Sequence, residues 1–226
     1  MKKMMQAIQV PAPGAPFVLA SLPVPEPSTD EVLIKVEACG ICHGDALALE
    51  GNYPGLTYPV IPGHEVIGTI VEMGSLAASF WRSGQRVGVG WHGGHCGQCA
   101  SCRRGDFWHC EHVRTTGLSR NGGYAEYLVA PSNVLVEIPA GIPSREGAPL
   151  LCAGNTVYAA LKKSGAQGGD LVGIVGPGGA RTSDGSNCKE PWLQDRRPDP
   201  RKGEGRPGKT LGGPPRHRYR RGGRRL

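Results

Sequence analysis

The stretch Cys96-Gly-Gln-Cys99-Ala-Ser-Cys102-Arg-Arg-Gly-Asp-Phe-Trp-His-Cys110 places four thiols within fifteen residues, with the spacing C-x2-C-x2-C-x7-C. Cysteines this close together can wrap four sulfurs tetrahedrally around one Zn²⁺, and a site closed by four thiolates is structural. Disulfides are one alternative, but tight C-x2-C pairs in a chain without secretory features favour metal or redox chemistry. A four-cysteine iron–sulfur site is the better alternative, because thiolates also hold those clusters.

The composition divides the 226 residues into two parts of different character. Residues 1–179 carry 12 lysines and arginines against 14 acidic residues, whereas residues 180–226 carry 14 against 5. The net charge of +7 therefore comes from the last 47 residues, and we expect no nucleic-acid partner for the folded part. Because only seven of those 47 residues are apolar, residues 180–226 are predicted to be a disordered, basic tail rich in Gly, Pro and Arg.

The sequence contains no apolar run of about twenty residues, so no membrane span is predicted. The basic start, Met1-Lys-Lys-Met-Met, is followed by Pro11, Pro13 and Pro16, which interrupt the apolar stretch that a signal peptide needs. These features predict a cytoplasmic protein with no membrane partner.

The first 140 residues have the pattern of a mainly β fold. Short apolar runs bounded by Gly and Pro predict strands at residues 6–10, 17–21, 31–37, 66–73, 86–89, 125–129 and 134–138. Many short strands separated by turn signals indicate a partly open β-barrel. Helical spacing is confined to residues 45–50, 144–151 and 155–163.

An apolar run at residues 171–175 leads into Gly176-Pro-Gly178-Gly179, and a strand feeding a glycine turn is how a dinucleotide-binding unit begins. The sequence that follows does not have the pattern of the expected helix, because Arg181 and a long Gly/Pro-rich sequence come next. We therefore expect a truncated nucleotide domain, and the abrupt change suggests a reading-frame shift after about Gly179. The predicted division is a catalytic domain at 1–150, an incomplete Rossmann domain at 151–179 and the tail at 180–226.

A second metal site is indicated by three further residues, Cys42, His64 and Cys152. Two thiolates and one imidazole are a known ligand set for a catalytic zinc, which keeps its fourth position for water or substrate. Asp45 and Glu65 are candidate carboxylates behind the ligands, and one of them would accept the free ring N–H of His64. Each residue alone is a weak signal, because an isolated Cys or His more often serves packing.

Five motifs in this chain resemble those of one family and occur in the same order. They are Cys39-Gly-Ile-Cys42-His43-Gly44-Asp45, Gly63-His64-Glu65, the four-cysteine stretch, Gly122-Gly-Tyr124-Ala-Glu-Tyr127 and Leu151-Cys152-Ala-Gly-Asn-Thr156-Val-Tyr158. Together they resemble the zinc-dependent alcohol dehydrogenases of the medium-chain dehydrogenase/reductase family. The resemblance covers residues 5–179 and implies a chaperonin-10-like (GroES-like) β-barrel, followed by a Rossmann NAD(P)-binding domain.

The resemblance also implies roles for individual residues. Cys42, His64 and Cys152 would bind a catalytic zinc, and Cys96, Cys99, Cys102 and Cys110 a structural zinc. His43 would lie near the cofactor phosphates or the proton path, and Trp91 would form a wall of the substrate pocket. Cofactor contacts would come from His43, Thr156, Gly176, Gly178 and Gly179.

Two departures from the family pattern affect the expected activity. Many members have Ser or Thr where this chain has Gly44, and that hydroxyl passes the alcohol proton outward, so a water or His43 would have to replace it. Arg181 stands where the nucleotide fingerprint has another glycine, and the helix N-terminus that binds pyrophosphate is lost.

The leading hypothesis is an alcohol dehydrogenase that transfers hydride between a primary or secondary alcohol and NAD(P)⁺. This chain is expected to bind two zinc ions but to hold NAD or NADP poorly, with little turnover. Its substrate would be a small alcohol or aldehyde, and family members form homo-oligomers. The alternative is a non-enzymatic zinc-binding module whose basic tail contacts RNA or acidic partners.

Overall fold

This computed structural model describes residues 2–168 and 170–173, and in this part of the chain the architecture is mainly β. The strands are β1 (Met4–Gln9), β2 (Val18–Pro23), β3 (Glu31–Cys39), β4 (Val66–Met73), β5 (Arg86–Val89), β6 (His92–Gly94), β7 (Arg114–Thr115), β8 (Tyr127–Pro131) and β9 (Val136–Glu137). The α-helices are α1 (Ala46–Glu50), α2 (Ala100–Arg103), α3 (Ser144–Gly147) and α4 (Ala153–Ser164).

All pairs among strands β1 to β9 are antiparallel, and in the described part of the chain the sheets do not close into a complete barrel. A five-stranded sheet has the order β8-β3-β4-β5-β9, while β1 pairs with β2 and β6 with β7. The sequence prediction of a mainly β, partly open architecture is therefore confirmed. The predicted strand at 134–138 shortens to β9, because a 3₁₀ turn occupies Ser132–Val134, and β8 begins two residues later than predicted.

The five-stranded sheet encloses the main core. Its buried residues are Val32, Ile34, Val66, Ile70, Ala77, Val87, Val89, Leu128, Ala130 and Leu135. Gly68 allows β3 and β4 to approach, since a Cβ at this position would come within 2.6 Å of Ile34 Cγ2 and closer still to the Lys35 carbonyl oxygen. Burial of branched side chains along these strands contributes most of the stability of this region.

The pairing of β3 with β4 places two of the predicted motifs side by side. Cys39, the last residue of β3, pairs with Val66, the first residue of β4. The Gly40 backbone N–H donates to the Glu65 carbonyl oxygen at 2.9 Å. The segment that leaves β3 through Cys42 therefore runs beside the segment that enters β4 through His64.

Cys152 reaches the same region by a longer route. The chain leaves β9, passes through α3 and a 3₁₀ turn at Ala148–Leu151, and presents Cys152 at the N-cap of α4. Arg86 of β5 holds the start of this route, because its guanidinium donates to the carbonyl oxygens of Pro139 (3.0 Å) and Ile142 (2.7 Å). A Cβ on Gly88 would approach the Leu151 side chain to 2.9 Å, so a glycine there leaves room for the residue before Cys152.

The predicted strand at 171–175 extends beyond the described residues, and the predicted glycine turn and tail lie outside them. The proposed limits of three domains therefore remain predictions. Within the part of the chain that the structure describes, no helix has the length and apolar character needed to span a membrane.

Candidate metal centres and active site

The four cysteines of the Cys96–Cys110 stretch converge at one point. Their sulfurs all lie within 4.8 Å of one another. The Cys96 sulfur is 3.6 Å from that of Cys110 and 4.0 Å from that of Cys102, far longer than the roughly 2.05 Å of a disulfide. A tetrahedron with Zn–S bonds of about 2.3 Å has edges of about 3.8 Å, so these separations fit four thiolates around a single ion.

Backbone N–H groups favour negative charge on two of these sulfurs, those of Cys96 and Cys99. The Cys99 N–H points at the Cys96 sulfur at 3.4 Å, and the Cys102 N–H at the Cys99 sulfur at 3.5 Å. The Cys102 N–H and a further backbone donor lower the pKa of Cys99 to about 6. By contrast, burial and the neighbouring sulfurs raise the pKa of Cys102 to about 12. Four thiolates this close together would be stable only around a central cation, and the four sulfurs are placed to surround a zinc ion.

A second group brings together Cys42, His64, Glu65 and Cys152, with one ligand atom of each within 4.8 Å of the others. The Cys42 and Cys152 sulfurs, 110 residues apart in sequence, are separated by 3.8 Å. The His64 Nε2 atom is buried and has no hydrogen-bond partner among the described residues. An unpaired imidazole nitrogen beside two thiols is a donor set that fits zinc.

Asp45 orients the His64 ring. Its Oδ1 atom lies 3.0 Å from His64 Nδ1, which leaves Nε2 on the other side of the ring for a metal. Burial alone would raise the pKa of Asp45, but hydrogen bonds from His64 and Tyr124 and from the Cys42 N–H outweigh it and hold that pKa below its usual value. Of the two carboxylates suggested by the sequence, it is Asp45 that accepts from the imidazole.

Glu65 occupies a different position, facing the two thiols. Burial, reinforced by the charge of Asp45, raises the pKa of Glu65 despite the opposing effect of His64. Gly40 leaves room for this side chain, because a Cβ there would overlap the Glu65 carboxylate. Glu65 is therefore close enough to contact an ion held by Cys42 and Cys152, whereas Asp45 acts through His64.

Trp91 packs against the second group. Its ring meets the His64 imidazole edge-on, with centroids 4.8 Å apart and planes at 85°. Its other neighbour is Tyr53, 6.1 Å away in a similar edge-to-face arrangement. The aromatic wall expected at Trp91 is thus next to the predicted catalytic ligands.

His43 is exposed and lines an open, mainly apolar cleft of about 790 Å³, together with Phe17, Ile41, Cys42 and Tyr124. Thr156 lies on the exposed side of α4, where its backbone N–H bonds to the Cys152 carbonyl oxygen at 2.9 Å. The structure therefore does not draw His43 or Thr156 into the metal group. Gly176, Gly178 and Gly179 lie outside the described residues.

The sequence indicates no role for Tyr124, although this residue lies in one of the five family motifs. The Tyr124 hydroxyl donates to Asp45 Oδ2 at 2.7 Å. In the sequence, Tyr124 is marked only by its position after two glycines and before a strand. This position does not show which group accepts a hydrogen bond from its hydroxyl.

Comparison with known proteins agrees with this geometry. The family sequence model of the alcohol dehydrogenase GroES-like domain matches residues 28–140, which is half of the chain. The fold is thus that of a GroES-like catalytic domain. The chain belongs to the zinc-dependent alcohol dehydrogenases of the medium-chain dehydrogenase/reductase family, whose members are oxidoreductases.

Three similar proteins illustrate the relationship. Alcohol dehydrogenase patD of Penicillium expansum is 43% identical over 166 residues, which cover 74% of this chain and 48% of that protein. The structure of CAD from Helicobacter pylori, complexed with NADP(H), has a TM-score of 0.72 and 29% identity, covering 81% of this chain and 55% of that one. The cobalt- and zinc-bound thermostable alcohol dehydrogenase of Pyrobaculum aerophilum has a TM-score of 0.67 and 28% identity, covering 75% and 51%. The chain spans about half the length of the curated relatives it matches.

Proposed function

We propose that this chain carries the zinc-binding catalytic domain of an NAD(P)-dependent alcohol dehydrogenase. Cys42, His64 and Cys152 would bind the catalytic zinc, while Cys96, Cys99, Cys102 and Cys110 would bind the structural zinc. The observation that carries the proposal is the convergence of two distant sulfurs, 3.8 Å apart, on the buried His64 Nε2, which has no hydrogen-bond partner within residues 2–168 and 170–173. Zinc in the Pyrobaculum aerophilum relative and NADP(H) in the Helicobacter pylori relative support the choice of cofactors.

When bound, the zinc would polarise the oxygen of a small primary or secondary alcohol, and NAD(P)⁺ would accept the hydride. The residues of this chain provide the surroundings of that reaction. Asp45 fixes the tautomer of His64, and Trp91 limits the space beside the imidazole. Gly44 has no hydroxyl to accept the alcohol proton, so a water or the exposed His43 ring serves instead.

The nucleotide-binding half is where this chain departs from its family. Since Arg181 replaces a fingerprint glycine and no helix-forming sequence follows, the 226-residue chain should bind NAD(P) poorly and turn over slowly or not at all. The frame shift, the homo-oligomer and the cytoplasmic location stay predictions from the sequence. The non-enzymatic module with a basic tail gains no support from the relatives.

Metal analysis tests the proposal directly. The purified chain should hold two zinc ions, Cys42→Ser should hold one, and Cys39→Ser should still hold two, because Cys39 belongs to neither group. One zinc in the unchanged chain, unaffected by Cys42→Ser, would refute the catalytic site. Alcohol-dependent NAD(P)H production, measured beside the Pyrobaculum aerophilum enzyme, tests the expected lack of turnover.

A further inference from the structure

The Asp45 carboxylate is buried, with 5% of the residue exposed, and four donors surround it. Oδ1 accepts from the Gly63 N–H at 3.1 Å and faces His64 Nδ1 at 3.0 Å. Oδ2 accepts from the Cys42 N–H at 3.0 Å and from the Tyr124 hydroxyl at 2.7 Å. Because a carboxylate offers about four lone-pair sites, these donors satisfy it completely.

We infer that Tyr124 is a positioning residue of the proposed catalytic zinc site, its hydroxyl fixing the Asp45 carboxylate that in turn orients His64. The inference rests on the proposed function. The Tyr124 hydroxyl contacts Asp45, which itself lies outside the group formed by Cys42, His64, Glu65 and Cys152, so the effect of Tyr124 would pass through Asp45.

The backbone and its neighbours hold the tyrosine in this place. Its N–H donates to the Pro62 carbonyl oxygen at 3.0 Å, and its carbonyl oxygen accepts from the Ile8 N–H at 2.7 Å. Gly63 has a φ of +98°, and a Cβ there would come within 2.7 Å of the Tyr124 ring. A glycine at 63 thus serves both the backbone turn before His64 and the close approach of the ring.

The hydroxyl makes the shortest of the four contacts to Asp45. It is a charge-assisted hydrogen bond, which is stronger than one between neutral groups. Without it, Oδ2 would keep only the Cys42 N–H, and a buried carboxylate would have an unfilled acceptor site. The carboxylate could then rotate, and Oδ1 would no longer direct Nδ1 of His64. Loss of the direct partner of a metal ligand, here Asp45, typically lowers metal affinity about 10–100-fold, and this sets the upper limit for an effect that Tyr124 exerts through Asp45.

The test uses Co²⁺ in place of zinc, because cobalt bound to thiolates absorbs visible light and reports its geometry. Competition with a chelating dye gives the cobalt affinity of each site. The Cys42→Ser variant should keep only the four-cysteine site, so its spectrum shows which absorption bands belong to that site. Tyr124→Phe should lower the cobalt affinity of the Cys42 site, by no more than the roughly 10–100-fold expected for loss of Asp45 itself, and should shift its bands while leaving the four-cysteine site unchanged. Tyr58→Phe is the matched control, since it also removes one hydroxyl hydrogen bond, 2.6 Å long, but to the Ala48 carbonyl oxygen.

A double-mutant cycle separates positioning from general packing. If Tyr124 acts through Asp45, Tyr124→Phe should add little to the loss caused by Asp45→Asn. Full additivity, unchanged affinity in Tyr124→Phe, or loss of the four-cysteine site together with the Cys42 site would each overturn the inference. If Cys42→Ser bound as much cobalt as the unchanged chain, the proposed function itself would be refuted, and the inference with it.

Discussion

The Cβ atom that Gly44 lacks would lie 2.8 Å from Cζ3 of Trp91. It would also lie 3.0 Å from Cε1 of His64. The indole ring of Trp91 therefore occupies the space that a side chain at position 44 would need. With Trp91 in this position, a serine or threonine at position 44 would clash with the ring.

This close contact predicts that Gly44→Ala destabilises the zinc-loaded chain by about 1–3 kcal/mol, because the added methyl forces Trp91 or His64 to move. The cost should be smaller in a Trp91→Leu background, where the ring is absent. Urea unfolding followed by circular dichroism measures both. Gly141→Ala is the matched control, since its Cβ would meet no atom within 4 Å. Equal costs of Gly44→Ala in the two backgrounds would show that the two positions are independent.

Removal of the structural metal should open the four-cysteine loop. Arg103 and Arg104 are exposed in it, whereas Cys102 and Cys110 are buried. Without a metal, nothing joins the four sulfurs to one another, and the loop loses the bonds that would hold its two ends together. A chelator should therefore allow trypsin to cut after Arg103 or Arg104, as mass spectrometry of the fragments would reveal. Cys99→Ser should be cut there even with zinc present, and resistance of the chelated chain would contradict the assignment.

Arg86 is expected to support the catalytic site from a distance. Its guanidinium bonds to two carbonyl oxygens and to Ser144 Oγ at 2.8 Å, and so holds the route that leads to Cys152. Arg86→Ala should cost about 2–3 kcal/mol of stability and lower zinc affinity at the Cys42 site more than at the four-cysteine site. Arg86→Lys keeps the charge but cannot make the three bonds together, so most of the loss should remain. Arg82→Ala removes an exposed arginine in the turn before β5 and should change neither quantity.

Glu31 should make stability depend on pH. Burial alone would raise the pKa of Glu31, but hydrogen bonds from Ser28 and Arg120 outweigh burial and lower that pKa below its usual 4.5. A carboxyl whose pKa is lower in the folded state stabilises the fold above about pH 4.5, and this contribution is lost as the pH falls through the folded-state value. Glu31→Gln should therefore lose less stability than the unchanged chain between pH 7 and pH 3.5. Any release of zinc by acid should affect both proteins alike. An equal loss of unfolding free energy in Glu31→Gln and in the unchanged chain between pH 7 and pH 3.5 would therefore argue against this account.

Features of this protein that depend on residues close together in sequence were easier to predict than features that depend on residues far apart. The convergence of the four cysteine sulfurs was predictable because they lie within fifteen residues, so the spacing alone limits their geometry. The strands around Val66 and Arg86 were predictable because alternation and flanking turns are local signals. The two-stranded pairing of His92–Gly94 with Arg114–Thr115 was not, since a strand containing two glycines carries no such pattern.

The sequence by itself determined the mainly β architecture, the thiol-rich loop and the ligand types that a second metal needs, because these depend on residue identity and short spacing. Only the tertiary structure decided that Cys42 and Cys152 meet, that Asp45 and not Glu65 accepts from His64, and that Trp91 fills the space beside Gly44. The physical reason is that such contacts depend on strand register and on packing between segments far apart in the chain. A small change in either would move side chains by more than the length of a hydrogen bond.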